Sequence, residues 1–69
     1  MTRYGVARWL LDHGFALVPP GKDGHRHYAR AGVKVTLQWH GRKDMTKKHA
    51  GLVRRQVRRL GLDLPHQLP

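Results

Sequence analysis

The 69-residue chain contains no cysteine, no glutamate and only four aspartates. The lack of cysteine excludes a disulfide framework and a thiolate zinc site, so neither can compensate for the thin core of so short a chain. No apolar run approaches the roughly 18 residues that a membrane span requires, and no signal-peptide pattern is present. We therefore expect one small soluble domain that is not exported and works in the reducing cytoplasm.

The scarcity of carboxylates also excludes some chemistry. Two-metal phosphodiester cleavage requires a cluster of carboxylates, whereas the four aspartates are scattered along the chain: Asp12, Asp23, Asp44 and Asp63. No Ser-His-Asp arrangement and no glycine-rich phosphate loop is readable. An enzyme with this sequence that acts on nucleic acid should therefore work with histidine and without a metal.

Basic residues dominate the charge. Fourteen Lys and Arg residues give the chain a formal net charge of +10. Such an excess repels itself in a compact domain and usually serves a polyanionic partner, for which nucleic acid is the first candidate. The alternative is a soluble basic protein with no such partner. Binding to an anionic membrane is less favoured, because no segment pairs a basic face with a large apolar one.

Periodicity predicts the order helix, three strands, helix. A short amphipathic helix fits residues 3–13, with apolar residues at Val6, Ala7, Leu10 and Leu11. Three strands fit residues 15–19, 25–30 and 33–39, and a second helix fits residues 48–60, with Leu52, Val53, Val57 and Leu60 on one side. This is an α+β fold, α-β-β-β-α, in which both helices cover one face of a three-stranded antiparallel sheet. We assign residues 1–62 to the single domain and residues 63–69 to a loose C-terminal tail.

The segment "KDGHRHYARAGVKVTLQWH" (residues 22–40) concentrates histidine on the predicted hairpin. Taking Ala31 and Gly32 as the two turn residues sets the strand register. His25 and His27 then fall on the polar face of the sheet, because directly opposed residues share a face. The same face carries three polar residues of the third strand: Lys34, Thr36 and Gln38.

Three interpretations of these histidines compete. In the first, His25, His27 and His40 bind a metal through their three imidazoles. Three histidines at this spacing are a weak signal of a metal site, so we expect no metal and no other cofactor. Alternatively, one histidine exchanges a proton near neutral pH while neighbouring cations stabilise a phosphoryl group. The third interpretation is a polar or RNA-contacting surface without chemistry. That interpretation suffices for the remaining histidines: His13, His49 and His66.

Several motifs resemble those of a known family. "LLDHGF" matches an L-x-x-x-G-F that ends a first helix, and "GHRHY" matches a Gly-(Ser/Gly)-His-x-x-Tyr/Phe motif that opens a second strand. A histidine after the third strand, His40, and "GLVR" in the last helix complete the set. In this order, over about residues 6–62, these motifs resemble the HicA toxins of HicAB toxin–antitoxin systems.

The resemblance implies a double-stranded-RNA-binding-domain-like fold and an mRNA-cleaving toxin that is neutralised by a HicB-type antitoxin. The family's catalytic histidine corresponds to His25. Asp23 and Gly24 stand where the family has Gly and Ser. "MTKKHAGLVRR" is also similar to the helix start of true double-stranded-RNA-binding domains, where the paired lysines, here Lys47 and Lys48, grip phosphates.

The resulting hypothesis is a metal-independent endoribonuclease in which His25 is catalytic and His27 or His40 assists as acid or base. We expect six residues to hold RNA through its backbone: Arg26, Lys34, Arg42, Lys43, Lys47 and Lys48. Trp39 would stack on a base only at an exposed end of the sheet. A non-catalytic RNA-binding module of the same fold is the alternative. DNA binding by the arginine-lined last helix is a third, weaker hypothesis.

Overall fold

The computed structural model describes residues 1–19 and 24–68. Five elements follow one another in these ranges: α1 (Arg3–Asp12), β1 (Ala16–Leu17), β2 (His25–Arg30), β3 (Val33–Gln38) and α2 (Lys47–Arg58). The strands form one antiparallel sheet in the order β1-β2-β3. The predicted α+β class and the α-β-β-β-α order are confirmed. Composition also predicts a turn at "PGKDG" (residues 20–24), of which only residue 24 lies within the described residues.

The hairpin between β2 and β3 has the register that the sequence predicts. Arg30 pairs with Val33, so Ala31 and Gly32 are its two turn residues. Both have positive φ, +49° and +81°, the combination of a type I′ turn. Ala31 tolerates this unfavourable conformation because the right-handed twist of the strands matches that turn type.

One hydrophobic core joins the sheet to both helices. Val33, Val35 and Leu37 alternate with polar residues along β3 and are buried, as the period of two predicts. They pack in a single cluster with residues from α1 and α2, including Val6, Leu10, Val53 and Val57. Both helices therefore cover the same face of the sheet.

A threonine caps the N-terminus of each helix. Thr2 accepts a hydrogen bond from the Gly5 amide and Thr46 accepts one from the His49 amide, both at 3.1 Å. Over residues 1–19 and 24–68, no helix is both long and apolar enough to cross a bilayer.

The faces that the two helices bury are rotated from the predicted ones. Leu11 and Leu52 remain exposed, at 49% and 43% of their surface, whereas Trp9 of α1 and Ala50 of α2 are buried. The position of each helix on the sheet decides which of its residues are covered, so Leu11 and Leu52, at the side of the covered face, stay in contact with solvent.

The segment after α2 packs where the sequence pattern predicts a loose tail over residues 63–69. Leu64 is 1% exposed and belongs to the hydrophobic core, and Leu68 packs against that core. Arg54 donates a hydrogen bond from Nε to the Leu64 carbonyl at 3.2 Å. This hydrogen bond holds the tail against α2, where Leu64 reaches the core.

Candidate active site on the open sheet face

The sheet face turned away from the helices carries the polar residues of the hairpin. We call it the open face and define it by five residues: His25, His27, Lys34, Thr36 and Gln38. The observed pairs are His25 with Gln38 and His27 with Thr36, as predicted. Lys34 and Gln38 are exposed, and the other three are half-buried. In the described part of the chain, both helices lie on the other side of the sheet.

His27 is oriented by the residue directly opposite. Its Nδ1 lies 2.8 Å from the Thr36 Oγ1. The Val18 amide donates to the His27 carbonyl, so the backbone polar groups of His27 point toward β1 and not toward β3. The His27–Thr36 pair is therefore a non-hydrogen-bonded pair of the ladder, the kind that brings opposed side chains closest together. The hydroxyl restricts the orientation of the ring.

The backbone carbonyl of Thr36 points to the outer edge of β3 and is bonded there by a second histidine. His49, in the first turn of α2, places Nε2 3.0 Å from that oxygen. The sequence pattern indicates only a polar or RNA-contacting surface for His49, because its partner is a main-chain atom in another element. The structure shows that His49 fixes the start of α2 against the edge strand.

His40 lies beside the start of β2. A methyl group added to Gly24 would meet His40 Cδ2 at 2.7 Å and Nε2 at 3.2 Å, so the imidazole packs against the Gly24 backbone. Gly24 has a φ of +70°, a conformation that side chains disfavour. Because His25 follows Gly24 directly, the fold brings His40 close to the predicted catalytic residue.

His25 is the first residue of β2 and is half-buried. The register places it two positions from His27 on the same face of the strand. The three histidines of the segment at residues 22–40 are therefore gathered at one end of the hairpin. Residues 1–19 and 24–68 contain no group of three His, Cys, Asp or Glu side chains arranged to hold a metal ion.

A cleft opens beside this end of the sheet. Its volume is about 440 Å³ and its walls come from β3, the loop at residues 40–46 and the first turn of α2. Its polar lining includes Gln38, Arg42, Asp44 and His49. The cleft therefore adjoins the open face at Gln38.

A buried arginine holds one wall of this cleft. Arg3, 7% exposed, donates from Nη1 to the Gly41 carbonyl at 3.2 Å and the Arg42 carbonyl at 2.8 Å. Its backbone amide also donates to the Lys43 carbonyl at 2.9 Å. No pattern in the sequence predicts this role, because the partners lie about forty positions away along the chain. Arg3 thus ties the loop at residues 40–46, which we call the basic loop, to the start of α1.

The six predicted RNA-binding residues do not share one face of the sheet. Lys34 lies on the open face. Arg26 pairs with the buried Leu37 and therefore lies on the helix side. The other four are exposed at the cleft end, in the loop and the first turn of α2: Arg42, Lys43, Lys47 and Lys48. Four of the six predicted cations therefore lie near the cleft, in the loop and the first turn of α2.

The arginines of α2 partly serve the fold. Arg54 bonds the tail at Leu64, and the Arg58 Nη2 lies 3.9 Å from the Asp63 Oδ1, an exposed pair of little energetic weight. Arg55 and Arg59 are exposed.

His13 also has a structural role, since its Nδ1 lies 2.8 Å from the Trp9 carbonyl and its ring stacks on Trp9.

Comparison of the chain with protein-family models, with curated proteins and with solved structures finds no match.

Proposed function

We propose that this protein is a metal-independent endoribonuclease that binds RNA across the open face and cleaves it with His25. The observation that carries the proposal is the shared face of His25 and His27. Thr36 holds the ring of His27, and Lys34, two positions before Thr36 in β3, lies on the same face. Two imidazoles and an ammonium group on one accessible surface match the requirements of histidine-catalysed phosphoryl transfer.

The reaction needs two proton transfers. A base removes the proton of a ribose 2′-hydroxyl, the 2′-oxygen bonds to the adjacent phosphorus, and the bond from phosphorus to the 5′-oxygen breaks. An acid protonates that departing oxygen, which leaves a cyclic phosphate and a 5′-hydroxyl. His25 serves as one of the two groups, and Lys34 stabilises the charge that develops on the phosphoryl oxygens.

His27 is the better candidate for the second group. Residues two apart on a strand are about 7 Å apart and project from the same face, so a phosphodiester group can lie between their rings. His40 contacts Gly24 and borders the same end of the sheet. It comes after the end of β3, however, and is not one of the five residues of the open face. We therefore assign His40 to the binding of RNA beside the scissile group.

The charge distribution supports delivery of RNA to this face. The exposed cations of the cleft end and Lys34 flank the histidines, and the formal net charge is +10. Cations that neutralise phosphates release counterions, which gives affinity without sequence preference. The same cations would serve a HicB-type antitoxin, the partner that the sequence resemblance implies, if its contact surface is acidic. A toxin that cleaves mRNA would act in the cytoplasm.

A non-catalytic RNA-binding module is the second candidate. It is favoured by the bond between His27 and Thr36, because a histidine that stabilises a strand pair needs no catalytic role. Glycine at position 24, where the resemblance predicts serine, also removes a hydroxyl beside His25.

Cleavage of a long single-stranded RNA in excess EDTA tests the proposal. We expect cleavage by the wild type, none by His25→Ala, and unchanged cleavage by His66→Ala, which replaces an exposed histidine remote in sequence. Loss of one acid or base typically lowers the rate by about 100- to 10,000-fold. Binding without cleavage by all three proteins would overturn the proposal in favour of the RNA-binding module.

A further inference from the structure

An aromatic and cationic cluster lies at the same end of the sheet as His25. We call it the stacking cluster and define it by Tyr4, Arg26 and Trp39. The Arg26 guanidinium lies 4.0 Å from the centroid of the Trp39 ring. The Tyr4 ring meets Trp39 edge-on, with centroids 5.5 Å apart and planes at 87°.

The cluster is accessible from solvent. Trp39 follows the last residue of β3 and is half-buried, with part of its surface packed against the core. Tyr4 is 48% exposed and Arg26 is exposed. Arg3, which anchors the basic loop, lies 5.6 Å from the Trp39 ring centroid and supports the cluster from inside. The cluster therefore presents aromatic and guanidinium surface to solvent.

The cluster and the catalytic candidate meet at the end of the sheet. Arg26 directly follows His25 in β2, and successive residues of a strand point to opposite faces. Arg26 therefore lies on the helix side, and His25 lies on the open face at the same level. A strand of RNA that passes around this end of the sheet can contact both.

We propose that the stacking cluster binds an unpaired base of single-stranded RNA, on the outer face of the Arg26 guanidinium, next to the phosphodiester held at His25. This inference rests on the proposed function for its choice of RNA as the ligand. Bases splayed out of a single strand stack on aromatic rings and on guanidinium planes. A base within a duplex already stacks on its neighbours and cannot also cover Arg26, so the site selects single-stranded RNA.

The planar guanidinium, and not its charge alone, is the feature that recognises the base. Substitution Arg26→Lys separates the two properties. An ammonium group over Trp39 retains the cation–π contact and still covers the ring, but it offers no flat outer surface. Arg55→Lys is the matched control, because it makes the same exchange at an exposed position of α2.

The experiment measures binding of a short single-stranded RNA whose 2′-hydroxyls are methylated, which prevents cleavage. The same RNA is prepared with a single abasic position moved along its length, so that the phosphate charge stays constant. For the wild type and Arg55→Lys, we expect one abasic position to weaken binding about tenfold or more. For Arg26→Lys, we expect the same position to matter less than about threefold.

The outcomes separate this inference from the proposed function. An abasic penalty that survives Arg26→Lys, the lack of a penalty at any position, or the lack of RNA binding would each overturn the stacking site. A penalty that disappears in Arg26→Lys supports the site, even if the unmethylated RNA is not cleaved. In that case the protein is a binding module, and only the proposed catalysis fails.

Discussion

His27 and Thr36 face each other across β2 and β3, with the His27 Nδ1 2.8 Å from the Thr36 Oγ1. The Thr36 carbonyl is bonded at the same time by His49 of α2, at 3.0 Å. Thr36 thus connects a histidine of the open face with a histidine that fixes the second helix. The candidate active site and the packing of α2 depend on the same strand residue.

Thr36→Val should release the ring of His27 without disturbing the backbone contact to His49. The valine keeps the shape of the side chain but cannot bond Nδ1, so we expect about 1 kcal/mol less stability. We also expect altered ¹⁵N chemical shifts of the His27 ring and slower RNA cleavage. Thr36→Ser, which retains the hydroxyl, is the control. Wild-type ring shifts and stability in Thr36→Val would show that the hydrogen bond does not orient His27.

Gly24→Ala tests the packing of His40 beside His25. The new methyl group would lie 2.7 Å from His40 Cδ2 at a φ of +70°, so both the backbone and the imidazole must adjust. Gly32→Ala is the matched control, because its φ is +81° but no atom lies within 4 Å of the added methyl. Each change should cost about 1 kcal/mol or more in backbone strain.

The contact with His40 should make Gly24→Ala the more damaging of the two changes. Denaturant unfolding measures both, and cleavage assays follow at a concentration where each variant is folded. We expect slower cleavage by Gly24→Ala alone. Equal stability and equal activity of the two variants would indicate that the position of His40 is unimportant.

Replacement of Lys47 or Lys48 by Gln should lower the affinity for RNA and make that affinity less sensitive to salt concentration. For single-stranded RNA, each lost phosphate contact should reduce the slope of log affinity against log salt concentration by about 0.7. Arg8→Gln is the control, because Arg8 pairs with Asp12 at 3.5 Å on the outer surface of α1. If Arg8→Gln reduces the slope as much as Lys47→Gln does, RNA binding depends on the net charge of the protein and not on the position of the cation.

Leu64→Ala should destabilise the domain although it lies in the segment that the sequence predicts to be loose. The side chain is 1% exposed, and removal of a buried leucine typically costs about 2–5 kcal/mol. Leu17→Ala, at a position that is 46% exposed, should change stability by less than about 0.5 kcal/mol. Thermal and urea unfolding compare the two. Similar small effects would show that the tail does not contribute to the core in solution.

Patterns that are local in the sequence predicted most of the architecture. The alternation along β3 and the Ala31-Gly32 turn are enough to derive the observed register, because a strand has a period of two and a two-residue loop leaves no freedom of alignment. His25 and His27 could therefore be assigned to one face before any coordinates were known.

The contacts that complete the site depend on long-range packing. Arg3 bonds a carbonyl 39 positions away, and His49 bonds one 13 positions away. No periodicity predicts such partners, because main-chain carbonyls are present at every residue and only the packed fold selects one. The contact of Arg26 with Trp39 likewise depends on where the strand ends relative to the helices.

The sequence by itself determined the charge, the order of the elements and the face on which each residue of the β2–β3 hairpin lies. These properties arise from composition and from the short repeats of strand and helix. Only the tertiary structure decided which helix residues are buried, where the tail packs and which cations meet the aromatic rings. Those outcomes depend on the angles and distances at which the layers pack, and they are set by contacts between residues far apart in the chain.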